Sequence, residues 1–460
     1  MRRILMVCNH FAPDATIAAV RTTKLAKYLK NHGYEVTFLA EKKNKGGFDG
    51  ILAEDASGIE VVYAENSDNF LKVLELYKKW IKPYKEKRLS DLSNRKRVNR
   101  KTGHVEFYPV ETAYPVLGSM EYVVEWIRQR NLFQSVKDFL RKNDDFDYLF
   151  TSYGDAFSWF CGCYYKKVHE GVPWHLDIRD AMYRYKFVPD YVNFIPKLME
   201  KFSWRKADVI TGVSEAICLR VSKKYSKKVY MLTNGYDRED FCFEDDGIVE
   251  LDNGRLNLSY TGSMYGGLQD LTYIFKAVGE LVSEGIMFSS NIRFYYAGNP
   301  SAYDIFLSQA KEAGLEGCCV YLGRLPRIDS LKLQKASDIL LLASYDYEQN
   351  RGDVITGKIF EYMASGRPIV AVVTGDVENS SIAEIIRRAN TGFAYEEAHH
   401  ASDFPRLKSY IRHQYESKME GRALEYAPDR EYVERYDYDN IGERLVSIIR
   451  HELDEKELEE

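Results

Sequence analysis

The chain has 460 residues, more than one hydrophobic core usually serves, so two domains are the first expectation. Apolar residues make up 45% and charged residues 29%, the balance of an ordinary globular protein, and a formal net charge of −5 offers no global basic field to nucleic acid. Seven cysteines lie scattered without a CxxC or a Cys/His ligand spacing, which reads as reduced thiols in a cytoplasmic protein, and no apolar run approaches the roughly 18 residues of a spanning helix.

In chain order, residues 4–8 form a short apolar strand, too short for the core of a signal peptide despite Arg2 and Arg3 before it. A loop with Pro13 and Asp14 follows. Residues 20–29 then carry apolar side chains at helical spacing with Lys24, Lys27 and Lys30 outside, Gly33 ends the helix, and residues 35–40 are the next strand. This β-α-β rhythm implies a parallel sheet with helices on both faces. It is interrupted over about 66–116, where residues 78–101 hold many Lys and Arg against Glu86 and Asp91. Three readings stand open for that insertion: a solvated loop, a patch on an anionic membrane surface, or a partner or acceptor contact. The 35 tyrosines stay open in the same way, between packing at domain seams and stacking on bases or sugars.

The rhythm resumes with strands at 148–152, 172–178, 209–213 and 231–233, the last running into the turn pair Asn234-Gly235. The acidic stretch 239–252 reads as a linker. A second series has strands at 256–261, 292–297, 319–322, 339–343 and 368–373, and residues 432–453 have the apolar spacing of a helix. The reading is an α/β protein with a first domain over 1–238, a second over 250–430, and a terminal helical segment over 431–460.

The segment richest in chemistry is Asp353-Val-Ile-Thr-Gly-Lys-Ile-Phe-Glu361-Tyr-Met-Ala-Ser-Gly-Arg-Pro-Ile-Val. Thr356 is placed to cap a helix from Gly357 to about Ser365, which Gly366 and Pro368 stop. The start of such a helix suits a diphosphate, and Lys358 in its first turn adds a full charge. Glu361 on the same helix can accept bonds from a ribose diol, and Asp353 in the loop before it can hold sugar hydroxyls. A capped helix with a surface Lys and Glu fits the same residues.

An acid, seven residues, then Glu and Tyr-Met-Ala-x-Gly-x-Pro-Ile resembles the donor-site signature of retaining GT-B glycosyltransferases, in particular the GT4 family of surface-polysaccharide enzymes (capsule, O-antigen and exopolysaccharide). Looser similarities span the chain: Asn9-His-Phe-Ala-Pro-Asp with Arg21-Thr-Thr-Lys, Gly171-Val-Pro-Trp-His-Leu-Asp-Ile-Arg-Asp180, Ala207-Asp-Val-Ile-Thr-Gly-Val-Ser-Glu215, and Thr233-Asn-Gly-Tyr-Asp237. The resemblance implies two Rossmann-like domains with parallel sheets facing a central cleft, the terminal helix returning to the first domain. It implies transfer of a sugar from a nucleoside diphosphate sugar to a glycan or lipid-linked acceptor. UDP is the expected carrier, and the protein is expected in the cytoplasm, with the basic insertion offering a contact to the inner face of the membrane. Glu361 would hold the ribose and Asp353 the sugar. Gly262 and Ser263, with Gly298, would approach the phosphates, Arg324 and Leu325 would lie in the loop that holds the base, and Lys358, Thr356 and Gly357 would complete the donor site. Asp155 and Arg21 are acceptor-side candidates.

Three departures mark this sequence. Asp353 stands where Glu is usual. Arg179, followed by Asp180, stands where many members have a His; an Arg stays protonated, so it can stabilise phosphate charge or orient Asp180 but not act as a base. The loop Thr261-Gly-Ser-Met-Tyr-Gly-Gly-Leu268 lacks the basic residues that many members carry there. No cofactor or metal is expected, because Asp145-Phe-Asp147 and Asp437-Tyr-Asp439 lack the strand-end setting of a metal-binding Asp-x-Asp. An inert scaffold or nucleotide-binding subunit, and a nucleotide-sugar epimerase, are the other classes such a fold can serve.

Overall fold

In the computed structural model the described residues are 2–43, 47–83, 96–98, 105–107, 115–179, 194–225, 229–243, 251–264, 268–347 and 355–459. Asp180, Asp353, residues 265–267 of the glycine loop and much of the basic insertion lie outside them. The chain divides into two compact units: residues 1–97, 107–234 and 438–460 form the first, and residues 98–106 and 235–437 the second. No helix among the described residues is long and apolar enough to cross a membrane.

In the first unit the chain runs β1 (Arg3–Val7), α1 (Ile17–Asn31), β2 (Glu35–Glu41), α2 (Gly50–Asp55), β3 (Glu60–Ala64) and α3 (Asp68–Leu76). After a short strand pair, β4 (Lys96–Val98) and β5 (Val105–Phe107), come α4 (Pro115–Lys142), β6 (Tyr148–Tyr153), α5 (Ala156–Val168), β7 (Trp174–Ile178), α6 (Phe194–Lys206), β8 (Val209–Gly212), α7 (Glu215–Tyr225) and β9 (Tyr230–Met231). The sheet order is β3-β2-β1-β6-β7-β8-β9, and its neighbours pair in parallel. The insertion thus falls between β3 and β6, where the chain crosses from one half of the sheet to the other.

One helical face of this unit differs from its sequence reading. Lys24 is not outside: it is 1% exposed and pairs with Asp55 at 2.5 Å, while Lys27 takes the other oxygen of Asp55 at 2.7 Å. The cause is α2, which packs beside α1 and covers the side that helical periodicity alone assigns to water. The last helix packs on α1 as well, with Ile441, Leu445 and Ile449 in one core with Leu25 and Leu29.

The second unit follows β10 (Leu256–Thr261), α8 (Thr272–Ser283), β11 (Ile292–Ala297), α9 (Pro300–Glu312), β12 (Cys319–Gly323), α10 (Arg327–Ala336), β13 (Ile339–Asp346), α11 (Lys358–Ala364), β14 (Ile369–Gly375), α12 (Ser381–Ala389), β15 (Gly392–Glu396), α13 (His400–Met419) and α14 (Arg430–Glu434). The C-terminal helix α15 (Tyr438–Glu459) belongs to the first unit. The second sheet has order β12-β11-β10-β13-β14-β15, again parallel. Its central strands are near-continuous apolar runs, Ile339-Leu-Leu-Leu and Ile369-Val-Ala-Val, because helices cover both faces of a parallel sheet. The acidic stretch expected as a linker begins in a 3-10 turn at Arg238–Phe241, capped by the Asp237 carboxylate on Glu239 N at 2.9 Å.

These are two Rossmann-like parallel-sheet domains of seven and six strands, the GT-B kind of architecture.

Candidate functional site

In an open parallel sheet, ligands bind beyond the carboxyl ends of the strands where the strand order reverses. In the second unit that point lies between β10 and β13, since β11 and β12 build outward on one side of β10 and β13 on the other. Gly262 and Ser263 leave the end of β10 there, and Lys358 opens the helix that follows β13. The Lys358 ammonium donates to the Ser263 carbonyl at 3.2 Å and lies 5.4 Å from the centre of the Tyr260 ring. Gly262 has φ +100°, and a Cβ at that position would stand 2.6 Å from Lys358 Cε. The left-handed backbone there calls for glycine, and any added side chain would have to displace the lysine. Gly298 is as tightly set: a Cβ there would lie 2.3 Å from the Gly262 carbonyl oxygen, which already accepts from Tyr296 OH at 2.8 Å.

Burial lowers the Lys358 pKa to about 8, with the nearby Glu361 opposing the shift. A half-buried, desolvated ammonium whose only hydrogen bond among the described residues is to one carbonyl favours an arriving anion, which restores the solvation it has lost. The helix itself contributes less than its sequence suggested. It runs only Lys358–Ala364, its N-cap is Gly357, and no side chain caps it. Thr356 is thus not the cap: its backbone carbonyl accepts from Ile359 N at 3.3 Å, because the chain enters the helix one residue later than the Thr-Gly pattern indicates. In a seven-residue helix the full charge on Lys358 outweighs the partial charge of aligned peptides.

Arg324 follows β12, exposed, and donates to the Asn299 side chain, whose amide in turn donates to Ser263 Oγ at 3.3 Å. Leu325 beside it is half-buried. The structure thus gathers Gly262, Ser263, Gly298, Arg324 and Lys358 around one strand-end crevice. Glu361 lies one turn beyond Lys358, mostly buried, with Oε1 accepting from Arg327 Nη1 at 2.6 Å. Arg327 and Asp240 carry no functional signal in the sequence. Arg327 stands just after the Gly-Arg-Leu-Pro turn, where a cation carries no periodic signal, and Asp240 is distant from it in the chain.

In the first unit the reversal falls between β1 and β6. Cys8 and Asn9 leave β1, Gly154 and Asp155 leave β6, and Arg179 leaves β7. Arg179 donates to the Ala18 carbonyl at 3.0 Å and approaches Cys8 Sγ at 3.6 Å. Asp155 holds the N-cap position of α5 without capping it, and its Oδ1 is buried with no hydrogen-bond partner among the described residues. Burial raises its pKa to about 6 against the pull of His10 and Arg179. Beside it, Asn9 donates to Gln129 Oε1 at 2.8 Å, which also accepts from Phe157 N at 3.1 Å.

Arg21, expected on the acceptor or phosphate side, is turned into the fold. It is 2% exposed and spends its guanidinium inside the fold. Nη2 bonds Asp177 Oδ1 at 2.8 Å and the Leu232 carbonyl at 2.8 Å, and Nε bonds Asp177 Oδ2 at 3.2 Å. Asp177 also accepts from Ser152 Oγ and Thr211 Oγ1, both at 2.8 Å. Burial pushes the Asp177 pKa up, but Arg21 and these donors outweigh it and the net shift is downward. Periodicity could not foresee this, because the partner is 156 residues away on β7.

Among the described residues, Glu396, His399 and Asp403 bring ligand atoms within 4.8 Å of one another. Their carboxylates are occupied structurally: Glu396 accepts from Ser380 N at 2.6 Å and Asn379 N at 3.2 Å, and Asp403 from Glu396 N at 3.2 Å.

Residues 255–405, within the second unit, match the family model described as "Glycosyl transferases group 1". No curated protein sequence matches the chain significantly. Solved structures with the same fold include HepE (Alr3699) of Anabaena in complex with UDP, at 12% identity and TM-score 0.60, covering 98% of this chain and 100% of that one. Sucrose-phosphate synthase of Thermosynechococcus elongatus aligns at 14% identity and TM-score 0.59, covering 98% and 99%. The lipopolysaccharide outer core galactosyltransferase WaaB aligns at 11% identity and TM-score 0.55, covering 98% and 100%. At such identities the likeness establishes the GT-B fold.

Proposed function

We propose that the protein moves a sugar from a nucleoside diphosphate sugar to a glycan or lipid-linked acceptor in the synthesis of a cell-surface polysaccharide, with retention at the anomeric carbon. The observation that carries this reading is the crevice between β10 and β13, where Lys358 lies against the Gly262–Ser263 backbone and Glu361 follows one turn later. A diphosphate meets the desolvated ammonium there, and a ribose diol meets the carboxylate. The matched group 1 domain supports the same placement of the donor. UDP is the favoured carrier, in keeping with the UDP held by HepE, and an outer-core galactosyltransferase of the same fold suits a glycan acceptor.

In this scheme the bond from the anomeric carbon to the diphosphate oxygen breaks, and the acceptor oxygen bonds the same face of that carbon. The acceptor proton passes to the departing phosphate oxygen, so no enzymic base is required. Lys358 takes up the charge that develops on the phosphate. Asp353, outside the described residues, keeps the sugar role that the resemblance implies; Arg179 stabilises charge on the departing phosphate or orients Asp180, and Asp155 serves the acceptor. The reaction needs no metal, and a lipid-linked acceptor would place the protein at the cytoplasmic face of a membrane.

The test is thermal stabilisation by UDP, GDP, ADP and dTDP with and without magnesium. Ligand at about 100 times its Kd adds about 2.7 kcal/mol to the native state, a shift of a few degrees for domains of this size. One nucleotide should give that shift irrespective of magnesium, and Glu361→Ala should abolish it. No shift with any of the four would overturn the donor site.

A further inference from the structure

The carboxylate assigned to the ribose does not pair with the cation nearest to it in sequence. Lys358 and Glu361 are three residues apart on one helix, a spacing at which opposite charges commonly meet. Here the Lys358 ammonium turns instead to the Ser263 carbonyl at 3.2 Å, and Glu361 Oε1 is taken by Arg327 Nη1 at 2.6 Å. The other arm of the same guanidinium, Nη2, bonds Asp240 Oδ2 at 3.0 Å. The three side chains are 13%, 11% and 1% exposed for Arg327, Glu361 and Asp240, so the bridge is largely shielded from water.

The geometry has two consequences. A rigid planar fork held at one end by a buried carboxylate fixes the direction from which it meets the second. Glu361 is thereby oriented through one oxygen, while Oε2 has no hydrogen bond among the described residues. The charges also stay separate. Were Glu361 to neutralise Lys358 along the helix, the cation for a diphosphate and the acceptor for a diol would cancel each other. The Lys358 ammonium is thus left for the phosphate side and Glu361 Oε2 for the diol side.

We propose that Arg327 is a positioning residue for the ribose: anchored on Asp240, it holds Glu361 turned so that Oε2 accepts from the 2′- and 3′-hydroxyls of a nucleoside diphosphate. This rests on the reading of the crevice as a donor site. Arg327 itself does not touch the nucleotide. Asp240 is its anchor from the 3-10 turn Arg238–Phe241, which begins the passage of the chain into the second unit.

The experiment is titration calorimetry on the full chain with UDP, GDP and ADP, each beside its 2′,3′-dideoxy form, for the wild type, Arg327→Met, Arg327→Lys and Asp240→Asn. The wild type should prefer the ribose form of its nucleotide by about tenfold or more, the scale of hydrogen bonds to a charged group. Arg327→Met should shrink that preference to about twofold while leaving the affinity for the dideoxy form unchanged. Arg327→Lys should restore part of it, and Asp240→Asn should give an intermediate value. Should Arg327→Met fail to fold, the lysine and Asp240 variants carry the same comparison. Equal weakening of ribose and dideoxy forms would show a merely structural role and overturn the proposal, as would an unchanged preference; either leaves the donor site standing. A wild type that binds none of the three diphosphates would overturn both.

Discussion

The two units place charged side chains at equivalent points of their sheets, beyond the strand ends where the order reverses, yet use them in opposite ways. In the first unit one buried ion pair faces inward: Arg21 and Asp177 satisfy one another and the carbonyl of Leu232. What remains towards the crevice is Asp155, a carboxyl without a partner on Oδ1 among the described residues. In the second unit the bridge Asp240–Arg327–Glu361 also consumes charge, but it stops short of Lys358. The lesson is that the type of a residue and its place near a strand end do not decide whether it binds a ligand; the decision lies in how much of its bonding the fold has already used.

The largest effect that would break this contrast lies at Arg21. Arg21→Met leaves Asp177 buried and unpaired, which costs about 3–5 kcal/mol. A chemical denaturation midpoint should fall accordingly, with the slope unchanged. A loss of sugar transfer at unaltered stability would show instead that Arg21 belongs to the site.

Next in size is the pH dependence of the second crevice. With the Lys358 pKa at about 8 in the free protein, an anion that binds the ammonium raises that pKa. Affinity should be flat below about pH 7 and fall about fivefold, about 1 kcal/mol, between pH 8 and 9. Calorimetry in buffers of different ionisation heat should register proton uptake over the same interval, and Lys358→Gln should remove both signals.

An effect of similar size is expected at Asp155, whose pKa rises from 3.8 to about 6 on folding. The native state prefers the protonated carboxyl, so its contribution is fully present below pH 3.8 and is lost as pH rises through 6. Asp155→Asn should therefore stabilise the protein at pH 7 by roughly 1–2 kcal/mol, reduced by solvent screening because the residue is not sealed from water. It should do nothing at pH 3.5. If that variant also slows transfer, the acceptor-side carboxyl is one whose stability was given up for function.

Much of this architecture was legible beforehand because parallel strands announce themselves. Runs such as Ile339-Leu-Leu-Leu and Ile292-Arg-Phe-Tyr-Tyr-Ala are buried on both faces, and glycine turns at Gly262, Gly298 and Gly323 punctuate their ends. Those signals are local, so the sequence by itself determined two α/β domains, the strand-end loops, and the helix that carries Lys358 and Glu361. It determined no partner for any of these charges. That Lys24 is buried beneath α2, that Arg21 serves Asp177, and that Glu361 meets Arg327 rather than Lys358 were decided only by tertiary structure. The physical reason is that a side chain's partner is set by what the folded chain brings within about 3 Å of it, across 156 residues for Arg21 and 34 for Arg327, and no periodicity encodes such a meeting.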